Sequence, residues 1–515
     1  MATQPSPPDR APLTSWEPVH PAAAAFAAGP GTPARSAPGA AGRSRSLADA
    51  LAEDNRRWGS PVDGELARWL GGADAVVTGQ QPGLLGGPLL TLVKAAAAAA
   101  EAARRRAAGR DAVAFLWLAT ADDDLPEMGW ARVAAGEEVA ELREPGWARG
   151  GMLGGAAPLS GECASFLDAL RPQLSGENAR AALDLAAACY APGALLGEAT
   201  ARFLAGVLAG CGVVLVDALE PELARAAAPV ATRVLEGLPA CWDALAAGGE
   251  RMRARGWSLP LRISPHRLPL FRRSGDRREA LPTSHGACPA ALLAEHAAHP
   301  ERFLPNAWLR PLVADAALAT AVSFLGGAEL AYHLQTEDVR GVAGIGRPEW
   351  RLRPHVTVVT AGERRLARQL RLTPEQLLRP SLPSPALPGR VTRRRLERLR
   401  STVETGLGSL AAGARTELPA LGGDLDATAK KLEAALAWLG GRIEGAATRD
   451  AEAAVGRWRR LRAFLRPDGQ PQERRLSALA PLLRLGPAWP RELAAALDPA
   501  DPGMHLLFWN EGGRW

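Results

Sequence analysis

Residues 74–83 read Asp74-Ala75-Val76-Val77-Thr78-Gly79-Gln80-Gln81-Pro82-Gly83, a short apolar run meeting a turn rich in glycine and side-chain amides. An alanine-rich stretch of helical length follows, from about Pro88 to Ala108. Pro88 suits a first helical position and Gly109 suits the stop. Two more apolar runs repeat the theme. Val113 to Ala119 leads into Asp122-Asp123-Asp124, and Gly212 to Val216 ends at Asp217. Short buried strands alternating with helical segments predict an α/β fold with a parallel-sheet core. Ligands of such sheets bind beyond the carboxyl ends of the strands, so all three strand ends are expected to converge on one crevice.

Working outward, residues 1–42 are rich in Pro, Ala and Gly without sustained periodicity and read as a loosely ordered arm. The core is expected over 43–385, with helical or irregular insertions at about 125–205 and 222–305. From 386 to 480 the pattern becomes that of a helical, coiled-coil domain. Leu396, Leu399, Val403, Leu407, Leu410, Ala414 and Leu418 recur at spacings of three and four. Pro419 and Gly422-Gly423 break that seam. Asp424 is placed to cap a second helix, whose stripe runs from Leu432 through Leu439, Ile443 and Trp458 to Leu465. Two long helices around a short break predict an antiparallel hairpin, and residues 481–515 are expected to pack back on the core.

Composition bounds the function class. A chain of 515 residues exceeds the roughly 100–200 of one domain, so two or three units are expected. The apolar share of 47% allows sizeable cores. Lys plus Arg exceed Asp plus Glu by only 61 to 55, too little to make nucleic acid an expected partner. Cys163, Cys189, Cys211, Cys241 and Cys288 are odd in number, with no CxxC pair, which argues for a reducing compartment and core packing. No signal-peptide core opens the sequence and no run of 18 apolar residues follows, so a cytoplasmic protein without a membrane span is expected. His296 and His299 lack a third ligand motif, so no metal site is expected.

The segment from Val76 to Leu84, continued by Gly87-Pro88-Leu89 and Lys94, resembles the hallmark of the bacillithiol biosynthesis cysteine-adding enzymes. It is neither a Walker A loop nor a GxGxxG fingerprint. The resemblance continues through Phe115 to Ala119, Gly212 to Asp217, Pro305-Asn306 with Leu309-Arg310-Pro311, Gly326 to Tyr332, and Pro467 to Arg474, spanning about Arg43 to Phe508. It implies a Rossmann-like core with connecting insertions and a C-terminal coiled coil that supports a homodimer. The implied reaction joins the carboxylate of L-cysteine to the amine of glucosaminyl malate. ATP or another adenine nucleotide, with magnesium, is the expected cofactor. A diverged paralogue acting on another amino acid or amino sugar, and a non-catalytic nucleotide-binding or scaffold protein, are the alternatives.

Read as chemistry, amide formation needs an activated carboxyl, an unprotonated amine and oxyanion stabilisation. The turn after the first strand offers backbone N–H groups and a helix N-terminus, which favour an anion. Gln80, Gln81, Asp122 and Asp124 are therefore the catalytic candidates, with Gly83 and Lys94 as cofactor-binding ones. Thr78, Gly79, Asn306, Arg310, Glu329, Tyr332 and Arg353 are the substrate-binding candidates, arginine being the natural reader of malate carboxylates. Gln472, Glu473 and Arg474 either pin the helical domain to the core or touch substrate. Where the family shows Glu-Asp-His-Asp, this sequence has Ala121-Asp122-Asp123-Asp124, and an aspartate in place of the histidine alters any acid–base step there.

Overall fold

A computed structural model describes residues 9–11, 21–27, 43–147, 151–379, 382–384 and 389–509. The opening run forms β1 (Asp74–Gln80), and the two that repeat its theme form β2 (Ala112–Leu118) and β3 (Val213–Asp217). Two strands absent from the sequence reading, β4 (Thr320–Leu325) and β5 (Glu349–Leu352), complete a parallel five-stranded sheet of order β5-β4-β1-β2-β3. The chain runs from β1 out to β3, then returns to lay β4 against the other side of β1. The order thus reverses at β1 and β4, and the crevice for ligands opens at such a switch point.

Alternation along the strands divides the core into two faces. Val76, Leu116, Leu215 and Phe324 point to one buried cluster, while Ala75, Val77, Phe115 and Val214 point to the other. Both faces are apolar because helices cover both, as parallel sheets require. The first is covered by α1 (Leu90–Ala107), where the alanines from Ala95 to Ala100 combine high helix propensity with side chains small enough for close approach to the sheet. The second carries α2 (Pro221–Glu236) and α3 (Arg310–Leu318). Each fully buried Val, Leu or Phe contributes about 1.5–3 kcal/mol relative to exposure.

Several expectations need correction. Pro88 is not in α1: it forms an isolated bridge with Ser477, and the Leu89 N–H donates to the Leu476 carbonyl at 2.8 Å. Both insertions carry β-structure as well as helix, namely the antiparallel hairpins Trp130–Ala135 with Glu138–Arg143 and Arg267–Ser274 with Arg277–Pro282. Within the arm, Asp9–Ala11 pairs antiparallel with Met504–Leu506, and Ala22 and Ala23 of the helix Pro21–Ala27 are fully buried. The rest of the arm lies outside the described residues. The chain also returns to the core as a strand: β6 (His355–Thr360) pairs parallel with β7 (Met504–Trp509).

The helix α4 (Gly327–Gln335) follows β4, and between β6 and β7 the chain forms α5 (Arg390–Glu417) and α6 (Gly422–Leu465). α4 roofs the carboxyl end of β4. α5 and α6 are the two arms of the coiled-coil hairpin, and Asp424 lies in the first turn of α6 while Leu421 holds the cap position. At 44 residues, α6 is about 66 Å long. Its amino-terminal half faces α5. Its last turns bury Leu461, Phe464 and Leu465 in a cluster with β6, β7 and their neighbours. The seam toward the tip stays open, with Leu410, Leu418, Leu432 and Leu439 at 58%, 57%, 39% and 38% exposure. All five cysteines are free thiols; burial pushes Cys163 up to about 12, and Cys211 and Cys241 up to about 11, so they pack as inert side chains. No helix of the described residues is long and apolar enough to cross a membrane.

Candidate active site

A cavity of about 470 Å³ opens at the switch point, beyond the carboxyl ends of β1 and β4. Thr78, Gly79, Gln80 and Gln81 form its floor, α4 contributes Glu329 and Tyr332, and Arg310 enters from the start of α3. Thr78 donates its hydroxyl to the Phe324 carbonyl at 3.1 Å, tying the two strand ends together.

Lys94 lies one helical turn into α1, yet its Nζ reaches back to the turn. It donates to the Gly79 carbonyl at 2.7 Å, to Gln80 Oε1 at 3.1 Å and to Glu329 Oε1 at 2.7 Å. Burial pulls the ammonium below the usual lysine value, against the opposing pull of Glu329. Burial works to raise Glu329, but the Lys94 charge and the Gly326 N–H outweigh it and hold the carboxyl below its ordinary range. This ion pair cross-links α1 to α4 and orients Gln80. Gln81 does the same on the other side, donating from Nε2 to Asp122 Oδ2 at 2.7 Å. Arg310 Nη1 stands 4.0 Å from that same oxygen, and Tyr332 closes the wall behind it. Burial raises the Tyr332 hydroxyl above the usual tyrosine value, so it is a neutral donor at pH 7.

Other sequence candidates sit differently. Asp124 caps the short helix Leu125–Met128, accepting from the Glu127 N–H at 3.3 Å, and does not line the cavity. Asn306 accepts from the Trp308 and Leu309 N–H groups at 3.1 Å each, which shapes the turn into α3. It lines a smaller adjoining chamber of about 290 Å³, walled by Trp117, Phe271 and Trp308, that shares Asp122 and Arg310 with the main cavity. Arg353 reaches the main cavity wall, but its guanidinium lies 2.8 Å from Glu473 Oε1 and both residues are buried. Asp217, expected at the common crevice, is turned inward to accept from Thr120 Oγ1 and the Leu219 N–H.

The turn itself corrects the anion-cradle reading. The Gly83 N–H donates to Thr200 Oγ1 at 3.2 Å, and its carbonyl accepts from Tyr190 and Thr200. Gly86 and Gly87 take positive φ of 84° and 69°, and a Cβ on Gly83 would lie 2.8 Å from the Gly87 Cα. The glycines serve a tight fold-back, and the first donors of α1 are occupied by the protein's own carbonyls. At this turn the groups left facing the cavity are the side chains of Gln80 and Gln81. Among the described residues, no three His, Cys, Asp or Glu side chains are grouped as metal ligands.

Three further residues belong to this site: Glu127, read in sequence as part of the acidic run after the second strand, Arg474, read as either pinning the helical domain or touching substrate, and Arg278, which no motif marked. Glu127 and Arg474 line the main cavity. Burial first, then the Asp124 and Asp122 charges, raises the Glu127 carboxyl above its usual range. Arg278, from the hairpin of the second insertion, pairs with Asp123, donates to the Ala121 carbonyl at 3.3 Å and stacks 4.4 Å from the Phe271 ring centroid. Asp123 is thus an anchor for that hairpin. Only the pairing across 155 residues reveals it.

Two family models match the chain. Residues 34–353 match that of bacillithiol biosynthesis BshC, N-terminal Rossmann-like domain, and 397–509 that of its C-terminal coiled-coil domain. A relative from Salinibacter ruber is 28% identical over 90% of this chain and 88% of its own length. One from Symbiobacterium thermophilum is 27% identical over 91% and 90%. A third, from Thermus thermophilus, is 31% identical over 64% and 66%. Each is named "Putative cysteine ligase BshC". The switch-point cavity lies largely within the first matched domain and the α5–α6 hairpin largely within the second, so the chain belongs to the bacillithiol biosynthesis BshC family.

Proposed function

We propose that the protein is a cysteine ligase that forms an amide between L-cysteine and the amine of glucosaminyl malate. The observation that carries the reading is the convergence of Gln80, Gln81, Asp122 and Arg310 on one cavity at the sheet's switch point. Arg310 offers a planar donor pair to a substrate carboxylate. Asp122, oriented by Gln81, accepts a hydrogen bond from the neutral attacking amine. It takes up the proton that the nitrogen loses as the C–N bond forms and the phosphate-linked group activating the cysteine carboxyl leaves. The amide N–H groups of Gln80, whose Oε1 accepts from Lys94, are the neutral donors for an oxyanion. ATP or another adenine nucleotide, with magnesium, would supply the activated cysteine carboxyl. The open seam of α5 and α6 supports a homodimer formed through the coiled coil.

The test is a ligation assay with purified full-length protein, L-cysteine, glucosaminyl malate and magnesium ATP, read by mass spectrometry of the thiol product. Bacillithiol is the expected product, and a strain lacking the gene should lose bacillithiol and accumulate glucosaminyl malate. Unchanged bacillithiol in that strain overturns the assignment. A paralogous ligase is the second reading, favoured by the Asp123–Arg278 pair, because no imidazole titrates where the family has one. Turnover with a different amino sugar in the same assay would select it.

A further inference from the structure

Among the described residues, four cations line the main cavity: Lys94, Arg310, Arg353 and Arg474. Two of them are already neutralised. Lys94 is held by Glu329 at 2.7 Å, and Arg353 by Glu473 at 2.8 Å. Arg310 has no ion pair closer than its 4.0 Å approach to Asp122, and its side chain is hydrogen-bonded to the Tyr332 hydroxyl. Arg474 is exposed to solvent, and no Asp or Glu side chain of the described residues forms an ion pair with its guanidinium.

A solvated surface arginine would ordinarily be the simpler account. What separates Arg474 from that case is the way its backbone is held. Gln472, fully buried, accepts from the Val358 N–H at 2.7 Å and donates to the Val358 and Phe464 carbonyls at 3.1 and 3.0 Å. Glu473, 1% exposed, accepts from the Val356 N–H at 3.0 Å and engages His355 and Arg353 at 2.8 Å. Two consecutive buried polar side chains thus clamp the peptide, and the next side chain is delivered to the cavity wall. There it also borders a narrower extension of about 150 Å³ with Gln80, Gln81 and Glu127. An arginine fixed at its backbone and uncommitted at its head is a pre-organised anion receptor.

We propose that Arg474 is a substrate-binding, specificity-determining residue that, with Arg310, binds the carboxylates of an acidic substrate. The C-terminal segment thereby completes a site whose other residues come from the Rossmann-like domain. The existence of the anion site stands on the geometry alone, while its assignment to a malate-bearing substrate rests on the ligase reading above.

The experiment is isothermal titration of full-length wild type, Arg474→Ala, Arg474→Lys and Arg310→Ala with glucosaminyl malate, L-malate, glucosamine, magnesium ATP and L-cysteine. Thermal unfolding is measured on each protein, together with KM in the ligation assay. Arg474→Ala should weaken glucosaminyl malate and L-malate by about 10- to 100-fold. Binding of glucosamine and cysteine, and the melting temperature, should stay as in wild type. Arg474→Lys should recover part of the loss, since it restores charge without the planar fork. Unchanged malate affinity in Arg474→Ala overturns the proposal, as does a wild type that binds no anion. A loss confined to ATP overturns the carboxylate assignment in favour of phosphate. Arg474-dependent malate binding by a protein that makes no amide would retain this proposal and defeat the ligase reading. Ligation with an unchanged KM for glucosaminyl malate in Arg474→Ala would do the reverse.

Discussion

Glu473→Gln should detach the clamp that holds the C-terminal segment to the core. In the wild type the Glu473 carboxylate is 1% exposed and satisfies three partners at once: Arg353 and His355 at 2.8 Å and the Val356 N–H at 3.0 Å. Burial works to raise this carboxyl, but the Arg353 charge, with the hydrogen bonds from His355 and the Val356 N–H, outweighs it and holds the group far below the ordinary carboxylate range. Glutamine keeps the shape and can still accept from Val356, but it leaves the buried Arg353 guanidinium, 2% exposed, without a counter-charge. Removing one partner of a buried pair costs about 3–5 kcal/mol, because the remaining charge stays desolvated. The retained hydrogen bond places the expected loss at the lower end of that range, about 3 kcal/mol. The control is Arg475→Gln in the same segment. Its pair with Asp468 is partly exposed at 31% and 56%, and such a pair is worth less than about 1 kcal/mol. Urea unfolding followed by circular dichroism at pH 7 compares the first transition of the three proteins. If Glu473→Gln falls within about 0.5 kcal/mol of wild type, the scale of an ordinary surface substitution, or costs no more than Arg475→Gln, burial of this network is not what holds the segment in place.

Further outcomes follow from the same geometry. Gln81→Ala removes the 2.7 Å bond to Asp122 without removing core volume, so turnover should fall by about tenfold or more while unfolding shifts by under about 0.5 kcal/mol; early unfolding with full activity per folded molecule would make the turn structural. Asp123→His removes the main counter-charge of Arg278, leaving it only the 3.6 Å approach to Asp122, and should make the hairpin 267–282 more open to limited proteolysis; an unchanged cleavage pattern would show that the pair anchors nothing. Because the folded Glu127 carboxyl is raised above its unfolded value, its ionisation costs stability at neutral pH. Glu127→Gln should therefore gain slightly at pH 7 and gain nothing below about pH 4, and a loss at pH 7 would contradict this sign. Residues 390–446 can be removed with Gly389 joined to Ala447 by a short linker, since a Cβ on Gly389 would lie 2.8 Å from that of Ala447. Sedimentation should then show monomers, and a dimer of undiminished affinity would place the interface elsewhere.

The sequence by itself determined the strands Asp74–Gln80, Ala112–Leu118 and Val213–Asp217, because short apolar runs rich in β-branched and aromatic residues, too short for a buried helix and bounded by turn residues, fit a sheet buried on both faces. It determined the helical hairpin, through spacing of three and four, and it marked Gln80, Gln81, Asp122 and Arg310 as residues of one cavity. Tertiary structure alone decided which chemistry each residue has left to offer. Lys94 and Glu329 are 235 residues apart in sequence, and Arg353 and Glu473 come from the two different matched domains, yet each pair cancels its own charge. Asp123 meets Arg278 across 155 residues. The glycines of the turn, legible as an anion cradle, are spent on close packing, and of Gln472, Glu473 and Arg474, which the sequence left between pinning the helical domain and touching substrate, the first two do the pinning while Arg474 faces the cavity. Local pattern reports which residues a backbone element turns toward a core or a crevice. Whether a charged group there is paired or available depends on partners that distant parts of the chain bring to it, and only the fold sets those distances.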